Sequence, residues 1–115
     1  MQQPRIILEA KEGATIAANL EVEELIAQAT TGGVMRLTGD ALNQQIEVRA
    51  RGNFRGENLF GEQVNVKVKG GGNAHINSNG LVNATVKAGG DIYIYGNPEQ
   101  VIKNAGIGAT IQKIN

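Results

Sequence analysis

The stretch Val64-Asn65-Val66-Lys67-Val68-Lys69-Gly70-Gly71-Gly72-Asn73 runs a strict apolar–polar alternation into a glycine junction. Alternation with period two puts every second side chain on one face of a strand. The same plan stands upstream, where Ile46-Glu47-Val48-Arg49-Ala50 leads into Arg51-Gly52-Asn53. Downstream, Ala84, Val86 and Ala88 lead into Gly89-Gly90-Asp91. Further junctions lie at Gly13, Thr31-Gly32-Gly33 and Gly106-Ile107-Gly108. Shortly after the junctions come Ile16, Met35, Phe54, Ala74, Ile92 and Ile111, at spacings of 19, 19, 20, 18 and 19 residues.

Two architectures give alternating strands with glycine turns. An antiparallel meander does so without any fixed period. A parallel solenoid requires the period, because each coil lies on the previous one and like positions stack. The spacing therefore predicts an all-β, single-stranded parallel β-helix (β-solenoid) of five to six short coils of 18–20 residues, one domain over residues 1–115. Its interior columns are read as Met35–Phe54–Ala74–Ile92–Ile111 and Ala50–Val68–Ala88–Ala105, with Leu20, Leu42, Leu59 and Leu81 marking the middle of most units. Leu20-Glu21-Val22-Glu23-Glu24-Leu25-Ile26-Ala27-Gln28-Ala29 has helix-forming composition, yet its place in the repeat reads as strand–turn–strand. Pro4 and Pro98 are expected outside strand interiors, since proline cannot donate to a ladder.

Composition agrees and narrows function. The chain has 115 residues, 16 glycines and 2 prolines, with 3% aromatic residues and no tryptophan. So few aromatics leave small aliphatics to fill a narrow interior. There is no cysteine, which excludes disulfides, thiolate metal sites and thiol nucleophiles. A single histidine excludes a multi-histidine zinc site within one chain. Eleven cations balance eleven acids, so nucleic acid gains no global attraction, and no apolar run is long enough for membrane insertion. The start, Met1-Gln2-Gln3-Pro4-Arg5, has no signal-peptide plan. Asp40 and Asp91 are isolated, and Gly70-Gly71-Gly72-Asn73 lacks the Gly-Lys-Ser/Thr ending of a phosphate loop. No cofactor, metal set, acid pair or base–nucleophile couple is expected, so no catalytic residue is assigned.

Lys87-Ala88-Gly89-Gly90-Asp91-Ile92-Tyr93-Ile94-Tyr95-Gly96-Asn97-Pro98, continuing as Val101-Ile102-Lys103-Asn104-Ala105-Gly106-Ile107-Gly108-Ala109-Thr110-Ile111, resembles the C-terminal signature of the autotransporter-adhesin head GIN domains. The stretch from Val86 to Asn115 carries the resemblance, and the chain as a whole is similar to the C-terminal half of such a domain. It implies a right-handed parallel β-helix, an exported protein at the cell surface or in the periplasm, and a bacterial family of unknown function without assigned catalytic residues.

A solenoid repeats its outward positions too. One expected ladder is Arg36–Arg55–His75–Tyr93–Gln112, flanked by Thr38, Glu57, Asn77 and Tyr95. Cations and aromatics in one row on a flat face suit a glycan or an acidic polymer, by stacking and hydrogen bonding. Ordinary solvated surface is the competing reading. A second expected ladder is the basic stripe Arg49–Lys67–Lys87, with Arg51 and Lys69 nearby. It suits phosphate or sulfated polymers, or simply keeps a β surface soluble.

The expected function is a non-catalytic surface or periplasmic solenoid serving in adhesion, scaffolding or polymer binding. The alternatives are a self-assembling filament or oligomer subunit and a polysaccharide-acting β-helix enzyme. Ile6 and Leu8 look like part of a coil without a predecessor, and Ile111, Ile114 and Asn115 end without an evident polar cap. The expectation is self-association through the coil ends.

Overall fold

The structure is a computed structural model describing residues 3–106 and 108–114. Met1, Gln2, Ile107 and Asn115, on which parts of the end and junction readings rest, lie outside the described residues. Eight strands follow one another: β1 (Gln3–Lys11), β2 (Thr15–Thr30), β3 (Val34–Arg49), β4 (Asn53–Lys69), β5 (Asn73–Lys87), β6 (Gly90–Tyr95), β7 (Gln100–Ala105) and β8 (Ala109–Ile114). Every pairing between them is parallel, in the order β1-β2-β3-β4-β5-β6-β8, with β7 also on β5. This is a β-solenoid of about six turns, and no meander pairing occurs among the described strands.

The expected coils are short strands joined by turns, whereas β2 to β5 are single strands of 15 to 17 residues. Each bends halfway instead of stopping. In β3 the inward residues are Met35, Leu37 and Ala41, then Gln44, Ile46 and Val48; Leu42 and Asn43 both face out between them. One such double outward step shifts the inward set by one residue, as a bulge does. The same step occurs at Glu23-Glu24 in β2, at Glu62-Gln63 in β4 and at Glu99-Gln100 before β7. β4 has a second at Glu57-Asn58, while β5 has none.

Coil length follows from these steps. The equivalent residues Thr15, Val34, Asn53, Asn73, Asp91 and Thr110 are separated by 19, 19, 20, 18 and 19 residues. A coil without a double step has 18 residues, and each step adds one. The Leu20–Ala29 segment, helical by composition, accordingly lies in one bent strand, with Leu20, Val22, Leu25, Ala27 and Ala29 buried. Burial of that face outweighs propensities of a few tenths of a kcal/mol per residue.

The column Met35–Phe54–Ala74–Ile92–Ile111 is as expected. The second is not: it runs Ala10–Ala29–Val48–Val68–Val86–Ala105, while Ala50 and Ala88 are exposed turn residues at φ 49° and 57°. The leucines do not form one set either. Leu20 and Leu59 are buried, Leu42 is 42% exposed at a bend, and Leu81 is half-buried. Pro4 lies within β1, which tolerates it because β1 pairs on one side only, with β2; Pro98 lies outside the strands.

The turns stack as regularly as the strands. In successive coils Gly13, Gly32, Arg51, Gly71 and Gly89 occupy one turn position, all at positive φ. The residue after this position is Gly33, Gly52, Gly72 or Gly90 in four coils; close packing is the reason at the first three, and Gly90 adds a φ of 138°. A Cβ on Gly33 or Gly52 would stand 2.2 or 2.3 Å from the carbonyl oxygen of Ala10 or Ala29 in the coil before. Gly13, Gly32, Ala50 and Gly71 donate N–H bonds to Thr31, Ala50, Lys69 and Gly89 of the next turn at 3.1 to 3.2 Å, carrying the ladder around the corner.

In the last coil two inward columns change to lysine. The inward column Ala27–Ile46–Val66–Ala84 reaches Lys103, and Ile76–Ile94 reaches Lys113. Both lysines are exposed.

Candidate functional site

The first half of each coil carries the Arg36 ladder. Pairing is in register from Ala17 to Arg36, Arg55, His75, Tyr93 and Gln112, so the five predicted residues form one column across consecutive coils. They face outward because the alternating neighbours Met35, Leu37, Phe54, Ala74, Ile76, Ile92 and Ile94 face in. Adjacent strands lie about 4.8 Å apart, and the rings are close enough to interact. His75 stacks on Tyr93 with centroids 4.9 Å apart and an interplanar angle of 22°. Tyr95 lies tilted beside it at 5.9 Å, its hydroxyl 3.2 Å from His75 Nδ1.

His75 is half-buried. Burial under the tyrosines lowers its pKa from the ordinary 6.5; Glu57 opposes that shift and Arg55 reinforces it. The ring is therefore neutral at pH 7, and in the tautomer protonated on Nε2 its Nδ1 accepts the Tyr95 hydroxyl. Beside it the exposed Arg55 Nη2 contacts Glu57 Oε2 at 3.4 Å, while Arg36 has no acidic partner among the described residues. A shallow depression of ≈ 390 Å³ opens at this end, lined by Arg36, Leu37, Thr38, Arg55, Glu57 and Asn58.

The flanking set is only partly brought together. Asn77 pairs with Tyr95, but Thr38 faces Asn58, not Glu57, because the extra step in β4 shifts its register. Asn77 bridges the irregularity by donating Nδ2–H to the Glu57 carbonyl at 2.9 Å. On the N-terminal side Asn19 Nδ2 donates to Thr38 Oγ1 at 2.9 Å. The result is a row with a guanidinium end, a charge-paired middle and an aromatic end. It can stack a ring against Tyr93 and Tyr95 and hydrogen-bond a hydroxyl or carboxylate at Arg36.

The second half of each coil carries the basic residues, with a correction. Lys67 is not between Arg49 and Lys87; it pairs with Glu47 on one side and Thr85 on the other. The basic column is Lys11–Thr30–Arg49–Lys69–Lys87. Arg49 is paired with Glu47 at 2.7 Å and Lys11 with Glu9 at 3.3 Å.

On the same face a depression of ≈ 450 Å³ is lined by Gln28, Gln45, Glu47, Asn65, Lys67 and Thr85, among others. Its amide row Gln45–Asn65–Asn83 escaped sequence reading, although the 18–20-residue period applied to Gln45 finds it. Gln44 was missed as well. It stands in the column Leu25–Gln44–Val64–Val82, is 1% exposed, and donates Nε2–H to Ala41 O at 3.1 Å across the bend. Among the described residues no three His, Cys, Asp or Glu side chains are grouped to hold a metal ion.

A family model described as "putative auto-transporter adhesin, head GIN domain" matches residues 1–98. The match includes the Asp91–Pro98 signature and the coils upstream of it, and leaves the Val101–Ile111 ending outside. No curated protein and no solved structure matches this chain.

Proposed function

The chain belongs to the head GIN domain family of auto-transporter adhesins, and from that premise we propose that it is a non-catalytic, exported or cell-surface solenoid that holds an extended glycan or acidic polymer along Arg36, Arg55, His75, Tyr93 and Tyr95. An adhesin-like family is one of surface protein domains. The observation that carries the finer reading is the in-register column of guanidinium and aromatic side chains, with His75 and Tyr93 already stacked at 4.9 Å. The stacked rings of His75 and Tyr93 are already ordered and lose little side-chain freedom on binding. A linear polymer lying along the solenoid axis meets one contact per coil, and the aromatic faces stack against sugar rings much as they do against bases.

A glycan array probed with the wild-type chain, with Arg36→Ala/Arg55→Ala and with Tyr93→Ala tests this. Glycan signals that fall at least tenfold in both variants support it. Equal signals for all three, or none for the wild type, overturn it. The polysaccharide-acting alternative is separated by incubating each bound glycan with the chain: unchanged chain length supports binding alone, and shortened products require an enzyme.

A further inference from the structure

The solenoid's charges sort by position in the coil. The bends collect Glu21, Glu23, Glu24, Asp40, Glu62 and Glu99, and of these Glu24 meets a cation, Arg5 at 2.6 Å. Among the described residues no cation lies within salt-bridge distance of the other five, and all five are exposed. The segments running from bend to turn carry Lys11, Arg49, Arg51, Lys67, Lys69, Lys87 and Lys103 against Glu9, Glu12 and Glu47. Lys69, Lys87 and Arg51 have no acidic partner within 4.0 Å among the described residues. Asp91, paired in register with Asn73 just beyond the turn, is the other acid near this edge. Bend and turn are separated by about eight extended residues, or roughly 26 Å. A chain of zero net charge thus carries an acidic edge and an opposite basic one.

Both edges put like charges directly opposite each other. Glu21 pairs in register with Asp40, and Arg49 with Lys69 and Lys69 with Lys87. Like charges facing across neighbouring strands are destabilising, and only Arg49 has relief, from Glu47. The acidic edge also exposes two large apolar side chains, Phe60 at 55% and Leu42 at 42%. The basic edge is low in relief, since Gly13, Gly71 and their neighbours present bare backbone at the turns.

We propose that copies of this chain associate side by side, the acidic bend edge of one against the basic turn edge of the next. The occupant of each edge is a second copy because the two rows share one pitch: both step once per coil of the same solenoid, so parallel copies bring opposite charges into phase. An anionic polymer would relieve the basic row alone and leave Glu21, Asp40, Glu62 and Phe60 as they are. Two different edges make a heterologous contact, which repeats without closing and gives a ribbon, not a dimer. The contact uses neither the Arg36 ladder nor the ends of the solenoid.

Sedimentation velocity of the 115-residue chain at tens of micromolar tests it. In about 20 mM salt the wild type should show faster species that grow with concentration, lost in about 0.5 M salt where screening is short-ranged. Lys69→Glu/Lys87→Glu and Asp40→Lys/Glu62→Lys should each sediment as monomers, with circular dichroism checking the fold, and an equal mixture of the two should associate again. A wild type that stays monomeric at low salt overturns the proposal. So does association that survives high salt or both charge reversals, which would place the contact elsewhere, as at the coil ends. Capture of a sulfated polymer by a monomeric wild type, lost in the lysine variant, would assign the basic edge to polymer instead and equally overturn it.

Discussion

The amide of Gln44 fills the space that Gly61 leaves in the next coil: a Cβ on Gly61 would stand 2.6 Å from Gln44 Nε2 and 3.0 Å from the Ala41 carbonyl oxygen. That carbonyl is the acceptor of the Gln44 amide, so one polar side chain closes the bend of its own coil and packs over the next. Gly61→Ala is expected to cost about 1–3 kcal/mol by overpacking. In a Gln44→Ala background it should cost less, because the nearest of its three close contacts has gone, leaving the Ala41 carbonyl oxygen and Val64 Cγ2 at 3.1 Å. Urea unfolding of the four-protein cycle measures the coupling, and simple additivity would refute the arrangement.

Arg51 holds φ 67° at the turn position that glycine fills in the neighbouring coils. A left-handed conformation costs a non-glycine residue roughly 1–2 kcal/mol, and glycine returns part of that through its looser unfolded chain. Arg51→Gly should therefore stabilise by up to about 1 kcal/mol. Gly32→Ala is the converse. Its φ is 76° and its added Cβ would find nothing nearer than Gly13 N at 3.9 Å, so its loss of about 1–2 kcal/mol is conformational alone. Thermal midpoints of the two variants should move in opposite directions.

Gly52→Ala should be far worse than Gly32→Ala although Gly52 is one of the residues without positive φ. Its Cβ would lie 2.3 Å from the Ala29 carbonyl oxygen, which belongs to the ladder and cannot move alone. The expected loss is about 3 kcal/mol or more, read from chemical denaturation. A loss no larger than that of Gly32→Ala would mean the coils separate more easily than their stacking implies.

His75 makes stability depend on pH. Its folded pKa lies below 6.5, chiefly through burial and further through Arg55, with Glu57 opposing. The folded state therefore resists protonation more than the unfolded chain does, and the unfolded chain binds the extra proton as pH falls. The stability contribution is complete above pH 6.5 and is lost as pH falls from there through the lowered folded value. Unfolding midpoints measured from pH 7.5 down to about 5 should fall more steeply for the wild type than for His75→Phe. Parallel curves would show that the ring titrates as it does in the unfolded chain.

How much of this could be read beforehand depended on what each signal is blind to. The row Arg36–Arg55–His75–Tyr93–Gln112 was legible because each member directly follows a repeated inward residue. The basic column was misread at Lys67, and the inner column at Ala50 and Ala88, by two residues each time. Alternation is indifferent to a slip of two, since residues i and i+2 share a face. What separates Val48 from Ala50 is the positive φ at Ala50, and alanine does not advertise that conformation. Gln44 was overlooked because a polar residue in an apolar column looks like a surface residue until its amide is seen bonded to Ala41. The edges of opposite charge escaped because zero net charge conceals where in the coil each charge lies.

The double outward steps have a consequence for how such a chain changes over generations. Coils of 18, 19 and 20 residues stack in one column here because each additional residue is taken up in a double outward step, outside the core. A single codon gained or lost at Leu42-Asn43 or Glu62-Gln63 re-aims a solvent-facing residue and leaves the inward set intact. The same event between Val64 and Val68 would turn the coil inside out. The gene therefore has places where reading-frame-preserving insertions are nearly silent, spaced one coil apart along a single edge, and that edge can diversify in length and charge while the stack beneath it keeps its pitch.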